Sequence, residues 1–151
     1  MLTTDSWSEE VELLPIVVGI HLDAEMYDRP RALRIVEAIR RWQHAYCDEP
    51  ICRPVVMTDA LYLSSEGLQR GAVISLGPAR VNALTAGLAE RLPVVFSQGG
   101  RMVVQADWSS GPPRLCLWAD AEHEGARIID RLIDVELDEF LEAVAARTPA
   151  V

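Results

Sequence analysis

Apolar positions along this chain switch between the period of a strand and the period of a helix, and the switches outline an α/β alternation. Residues 11–22, VELLPIVVGIHL, are almost continuously apolar and β-branched in the middle, which is the pattern of a strand covered on both faces. Pro15 removes one ladder donor, so the first half of this strand is expected at an edge or a bulge. The period then lengthens. Ala32, Ile35, Val36, Ile39, Trp42 and Tyr46 share one helical face, Asp28 stands where an N-cap belongs and Pro30 falls in the first turn, which predicts a helix over 29–46. A short strand follows at 54–58, PVVMT, and the intervening helix is long enough for a parallel, right-handed crossover. Residues 59–70 carry conflicting signals and are expected to be irregular.

The stretch 71–92, GAVISLGPARVNALTAGLAERL, is the clearest unit in the chain. It predicts a strand over 72–76, a Gly77-Pro78 turn, and a helix over 78–91 that buries Val81, Leu84, Leu88 and Leu92 as one stripe and stops at Pro93. Residues 93–107 form two apolar runs around Gly99-Gly100, a hairpin signal, and RLCLW at 114–118 adds a strand antiparallel to 101–106. The last helix is expected to start with Asp120 as N-cap and to run to about residue 146, with Ala126, Ile129, Ile133, Leu137, Phe140 and Val144 on one face. Residues 1–10 lack periodicity and read as a flexible N-terminal arm with Trp7 as its anchor, and 148–151 as a tail. The expected fold is therefore a single α/β domain over 11–147. It is an α/β sandwich of a mixed, largely parallel sheet of about six strands, with an antiparallel hairpin portion toward the C-terminus and three main helices. Strand order is not readable from the pattern.

Composition adds constraints. At 151 residues and 16.7 kDa the chain has the size of one domain, and half of it is apolar, enough for some of that surface to be buried between subunits. The longest apolar run, residues 13–20, is too short for a membrane span, which needs roughly 18 residues. Acids occupy the N-terminal segment where a secretory signal carries basic residues, so a cytoplasmic location is expected. Cys47, Cys52 and Cys116 are an odd number and read as reduced thiols. All fourteen basic residues are arginine, the coding bias of a GC-rich bacterial genome, which weakens any one arginine as evidence of an anion site. The absence of lysine removes Schiff-base catalysis, phosphate-loop binding and Ser-Lys mechanisms.

The net charge of −9 disfavours nucleic-acid binding. It is unevenly spread: residues 120–142 hold nine acids against Arg127 and Arg131, while Arg29, Arg31, Arg34, Arg40 and Arg41 face only Glu37 on the first helix. These two segments are expected to pair with each other or with neighbouring subunits.

Candidate chemistry gathers where parallel strands end, since ligands in open α/β sheets bind beyond the carboxyl ends. His21 and Asp23, two residues apart on one side of an extended strand, have the geometry of an acid orienting a general base, and Asp59 ends the next strand. These three are the candidate catalytic residues. Asp120 and His123 extend the set to one that zinc or manganese would accept, but an Asp120 cap explains that pair without a metal, and no metal site is assigned. Gly77, Pro78 and Asn82 are the candidate ligand-binding residues: a turn that opens backbone N–H groups toward a small anionic or nucleotide ligand, with Asn82 leaning back over the mouth. The competing reading is an ordinary turn in which Asn82 ties down a loop. No cofactor is implied.

Other spacings fail on context. Cys47-x5-Arg53 leaves a helix and enters a strand, the reverse of a thiolate phosphatase loop, and prolines interrupt it. His44, Cys47 and Cys52 lack a fourth zinc ligand, and Ser75-Leu76-Gly77 lacks the upstream glycine of a nucleophile elbow. Apolar excess and charge segregation favour a non-catalytic binding or assembly subunit, forming a homo-oligomer or a complex. The alternative is a small hydrolase or metal-dependent enzyme centred on the carboxyl ends of the strands.

Overall fold

The computed structural model describes residues 11–147, so the expected arm over 1–10, Trp7 included, and the tail over 148–151 lie outside the described residues. Six strands form one sheet: β1 (Glu12–Val18), β2 (Cys52–Thr58), β3 (Val73–Leu76), β4 (Val94–Gln98), β5 (Met102–Asp107) and β6 (Arg114–Ala119), in the order β2-β1-β3-β6-β5-β4. β1 pairs in parallel with both β2 and β3, and β3 with β6. β5 is antiparallel to β6 and to β4. The mixed, largely parallel α/β sheet expected from the pattern is the one observed.

Handedness explains where the helices go. A parallel crossover is right-handed, so a step to one side of β1 and a step to the other place their helices on opposite faces. From β1 the chain moves outward to β2 through α1 (Arg29–Tyr46). It returns past β1 to β3 through two short helices, α2 (Asp59–Leu63) and α3 (Glu66–Gln69), and continues into α4 (Ala83–Ala89). α5 (Glu122–Arg131) and α6 (Leu137–Arg147) follow β6 and are joined by a π-helical turn, Leu132–Glu136. Two cores result. Leu14, Ile16, Ile74, Leu115 and Leu117 pack on one face of the sheet against α1, α5 and α6, with Phe140 fully buried among them. Val17, Met57, Val73 and Cys116 point to the other face and meet Tyr62, Leu84, Leu88 and Leu92. Each fully buried Leu, Ile or Phe in these layers contributes about 1.5–3 kcal/mol.

Several boundaries differ from those expected. β1 ends at Val18 rather than at residue 22; its first half, through Pro15, pairs only with β2 and is an edge as expected, while Ile16 and Val17 past the proline pair on both sides. Residues 59–70 are not irregular: Thr58 and Ser65 side chains accept hydrogen bonds from Leu61 and Leu68 N–H groups and cap α2 and α3. Asp28 does not cap α1. It has helical backbone angles, because a π-helical turn, Ala24–Asp28, runs directly into α1, ahead of Pro30, which has no N–H to give to the preceding turn. Asp120 caps nothing either, since Ala121 is the N-cap of α5 and makes no side-chain cap bond. The hairpin is as expected, with Gly99 and Gly100 at φ 60° and 68° between β4 and β5. The basic and acidic helices do meet: Arg34 of α1 is paired with Asp130 of α5.

A carboxylate crevice at the switch point

Strands β1, β2, β3 and β6 run in one direction, and β4 shares it because two antiparallel steps separate it from β6. The carboxyl ends near His21, Asp59, Gly77, Gln98 and Asp120 therefore lie along one rim. Within that rim the neighbours β1 and β3 send their chains to opposite faces, β1 toward α1 and β3 toward α4. In an open α/β sheet the ligand crevice usually lies where loops diverge in this way.

The floor of the crevice is sewn shut by Asn82. This side chain is 1% exposed, and its Nδ2 donates to the carbonyls of Val17 (3.1 Å) and Leu76 (2.9 Å) at the ends of β1 and β3. Its Oδ1 accepts from the N–H groups of Leu84 and Thr85, which makes Asn82 the N-cap of α4. The helix consequently begins at Ala83, five residues later than the Gly-Pro turn suggested, and Pro78 belongs to a turn closed by the Val81 and Asn82 N–H groups on its carbonyl. Asp59 completes the closure, with Oδ1 on the Ala60 N–H and Oδ2 on the Ala83 N–H, both at 2.8 Å. Every donor at the start of α4 is thus taken by the chain itself. Asn82 and Asp59 are structural clamps here, and the Pro78 turn is not a helix mouth. The helix N–H groups at residues 83–86 are therefore not open to an anion, whereas the Ala79 and Arg80 N–H groups of the turn give no hydrogen bond to any described residue.

Above this floor lies a side chain that the pattern had placed elsewhere. Asp28 is 7% exposed and rests on Gly77, where a Cβ would stand 2.5 Å from its Oδ2. Gly77 also has φ 111°, so both its backbone angle and its lack of a side chain are needed. No described residue donates a hydrogen bond to the Asp28 carboxylate; its nearest cation is Arg31, with Nη1 3.7 Å from Oδ1. Burial pushes the Asp28 carboxyl up to about 6, against the pull of Arg31 and Arg80 and with a further push from Asp23.

Arg31 is itself fixed in place. Its Nη2 donates to the Glu122 carbonyl at 2.6 Å, and its guanidinium lies over Gly125 of α5, where a Cβ would stand only 2.2 Å from Nη1. The same group lies 5.9 Å from the centroid of the Tyr27 ring, whose phenol is pushed above its ordinary value, first by the charge of Glu122. A buried carboxylate seated on Gly77 thus has an immobilised guanidinium beside it, Tyr27 next to that guanidinium, and the charges of Arg80 and Asp23 within electrostatic reach. This arrangement can accept a proton or a hydrogen bond from a bound group while a cation beside it balances negative charge.

The remaining candidates fall around this cluster. His21 and Asp23 are not on a strand: the His21 carbonyl accepts from the Glu25 N–H in the first turn of the helix, so the extended-strand geometry that paired them does not exist. Asp23 still contributes charge to Asp28 and Tyr27. The His123 side chain is exposed and lies 3.8 Å from Glu124. Among the described residues no group of three or more His, Cys, Asp or Glu is arranged to hold a metal ion. Asp28 could have been found from its spacing, because Asp28, Ala32, Ile35 and Ile39 lie at i, i+4, i+7 and i+11 on one inward face. No family model, no curated protein and no solved structure matches this chain.

Proposed function

We propose that the protein is a small-ligand-binding domain whose site is the crevice over Gly77, with Asp28 as its central hydrogen-bond and proton acceptor. One observation supports this most: a nearly buried carboxylate, seated on a glycine that has no room for a methyl group, receives no hydrogen bond from any described residue. The Asp28 oxygens are not among the wholly buried atoms without a partner, so the small part of the carboxylate that stays open meets water, which a hydrogen-bonding ligand would displace. A hydroxyl or amine suits Asp28, and Arg80 beside it suits an anionic group on the same molecule. The class is a small hydroxy or amino acid, or a small hydroxy phosphate. A carboxyl that titrates near neutrality can also activate a hydroxyl or water, which makes hydrolysis the chemistry open to this site.

One substitution, Asp28→Asn, tests this reading in two ways. The raised carboxyl destabilises the fold only when ionised, so relative to the wild type the variant gains stability as pH rises from about 4 through 6. At pH about 8 the gain is on the order of 2 kcal/mol. The groups facing Asp28 are Arg31, Arg80 and Asp23, with Tyr27 and Glu122 beyond Arg31, and none of them is changed. In NMR titrations of isotope-labelled protein with glycolate and with glycerol phosphate, the amide signals of Tyr27, Asp28, Arg31 and Gly77 are expected to move first, and the response is lost in the variant. Equal responses in both proteins would refute the site.

A second reading, an assembly subunit that binds copies of itself, is supported by the apolar edge of the same rim. Ile20, Leu22, Met26, Leu61 and Leu63 are 45–72% exposed on the segments that leave the adjacent strands β1 and β2. Such a concentration suits a protein contact. Sedimentation at high micromolar concentration would then show a dimer or larger species that Leu22→Glu dissociates; a strict monomer would end this reading. A cytoplasmic location accords with either reading. Cys47, Cys52 and Cys116 are free thiols, and burial pushes Cys52 and Cys116 up to about 12. Among the described residues no helix is long and apolar enough to cross a membrane.

A further inference from the structure

A second cleft, separate from the Gly77 crevice, opens between the β4–β5 hairpin and α5. It has a volume of about 290 Å³ and is lined by Phe96, Gln98, Met102, Arg127, Ile128 and Arg131. That volume is at the lower end of ligand sites, which span roughly 300–1,000 Å³, and it suits a single ring or a short chain. The lining divides by chemistry. Phe96, Met102 and Ile128 offer apolar surface, Arg127, Arg131 and Gln98 offer donors, and among the described residues no carboxylate lines the cleft.

Arg131 is held there at a cost. Its guanidinium lies 3.7 Å from the centroid of the Phe96 ring; its Nε donates to Glu136 Oε1 at 3.1 Å, and Nη2 stands 3.0 Å from the same oxygen in the ion pair. Glu136 is 6% exposed, its Oε2 is buried without a partner, and burial pushes its carboxyl above the usual range although Arg131 pulls the other way. Glu136 is buried but the Arg131 side chain is a third exposed, so the pair leaves part of the guanidinium open to the cleft. The ion pair holds the guanidinium over an aromatic ring, with its remaining N–H groups unspent. Arg127 stands one turn away on the same helical face, and among the described residues no carboxylate pairs with it.

We propose that this cleft binds a small carboxylate with a flat apolar body. The carboxylate is taken by Arg127 together with the open edge of Arg131 and the Gln98 amide, and the body lies against Phe96, Met102 and Ile128. The site is independent of Asp28, so either can fail without the other.

Benzoate is the probe. Titrated into the isotope-labelled full chain, it is expected to shift the signals of Phe96, Gln98, Met102 and Ile128 saturably in the millimolar range. Acetate, which has the charge without the body, binds at least severalfold more weakly. Arg127→Gln weakens benzoate about tenfold or more, the scale of one lost charge-assisted hydrogen bond. Arg127 is exposed and unpaired, so this variant keeps the fold, which the unchanged spectrum of the free protein verifies. Shifts that never saturate, equal affinity for acetate, undiminished binding to Arg127→Gln, or a response centred on Tyr27, Asp28 and Gly77 would each overturn the proposal.

Discussion

Replacing Asn82 with alanine is expected to destabilise the domain by about 3–4 kcal/mol. Four hydrogen bonds end on this one side chain. Loss of Oδ1 uncaps α4 at the Leu84 and Thr85 N–H groups, an effect of about 1–2 kcal/mol. Loss of Nδ2 leaves the Val17 and Leu76 carbonyls without that donor in a buried position, at about 1 kcal/mol or more each. The four losses are not strictly additive, because water can enter the space left behind. Urea denaturation measures the result as a lower midpoint with an unchanged slope. Asn82→Asp separates the two halves of the role. It keeps the cap but turns an anion toward two carbonyl oxygens, so its carboxyl pKa is raised in the fold and the variant weakens further as pH rises through that value. A variant as stable as the wild type at every pH would show that the stitch across β1 and β3 contributes nothing.

Asn82 also shows how far the fold was legible. The strand over 72–76, the hairpin at Gly99-Gly100 and the main body of α1 follow from periodicity and turn chemistry, which are local properties of the chain. Where Asn82 and Asp59 send their hydrogen bonds is not local. Asp59 reaches Ala83 across 24 positions and Asn82 reaches Val17 across 65. A capping residue was visible at Asn82 only if Pro78 was not taken as the helix start, and proline at a first helical turn is the stronger local signal.

The candidate site was legible in position but not in composition. The pattern pointed to the parallel strand ends, and it is there that the buried Asp28 carboxylate meets Gly77. Asp28 was hidden because Asp before Pro30 reads as a cap, whereas the π-helical turn extends the helix backward and turns this carboxylate inward. Arg31 and Gly125 were hidden for another reason. Their contact joins two helices 91 residues apart through the Glu122 carbonyl, and neither residue type is unusual where it stands. A pattern of periods records which face of an element is buried; it carries no trace of a charge that is buried against a distant glycine.

The other large effect is expected at Gly19, the lip of the crevice on the β1 side. Gly19→Ala should cost about 3 kcal/mol, the upper end for an overpacked site. A Cβ at this position would lie 1.7 Å from the Val81 carbonyl oxygen and 2.8 Å from the carbonyl carbon. Both are backbone atoms, so no side chain can swing aside. Val81 cannot retreat easily, since its N–H is bonded to the Pro78 carbonyl and Asn82 directly after it is clamped to both strands. The β1 end and the Pro78 turn must then separate by an ångström or more, and the crevice over Gly77 widens with them. Loss of the glycolate response and loss of stability should therefore appear together in this variant. Gly67→Ala in α3 is the control: its Cβ would approach only Ser65 Oγ, at 3.9 Å, so thermal unfolding should find it neutral or slightly stabilising. If Gly19→Ala unfolds at the wild-type temperature, the loops at the β1 and β3 ends are softer than their hydrogen bonds imply, and the crevice is not preorganised for a ligand.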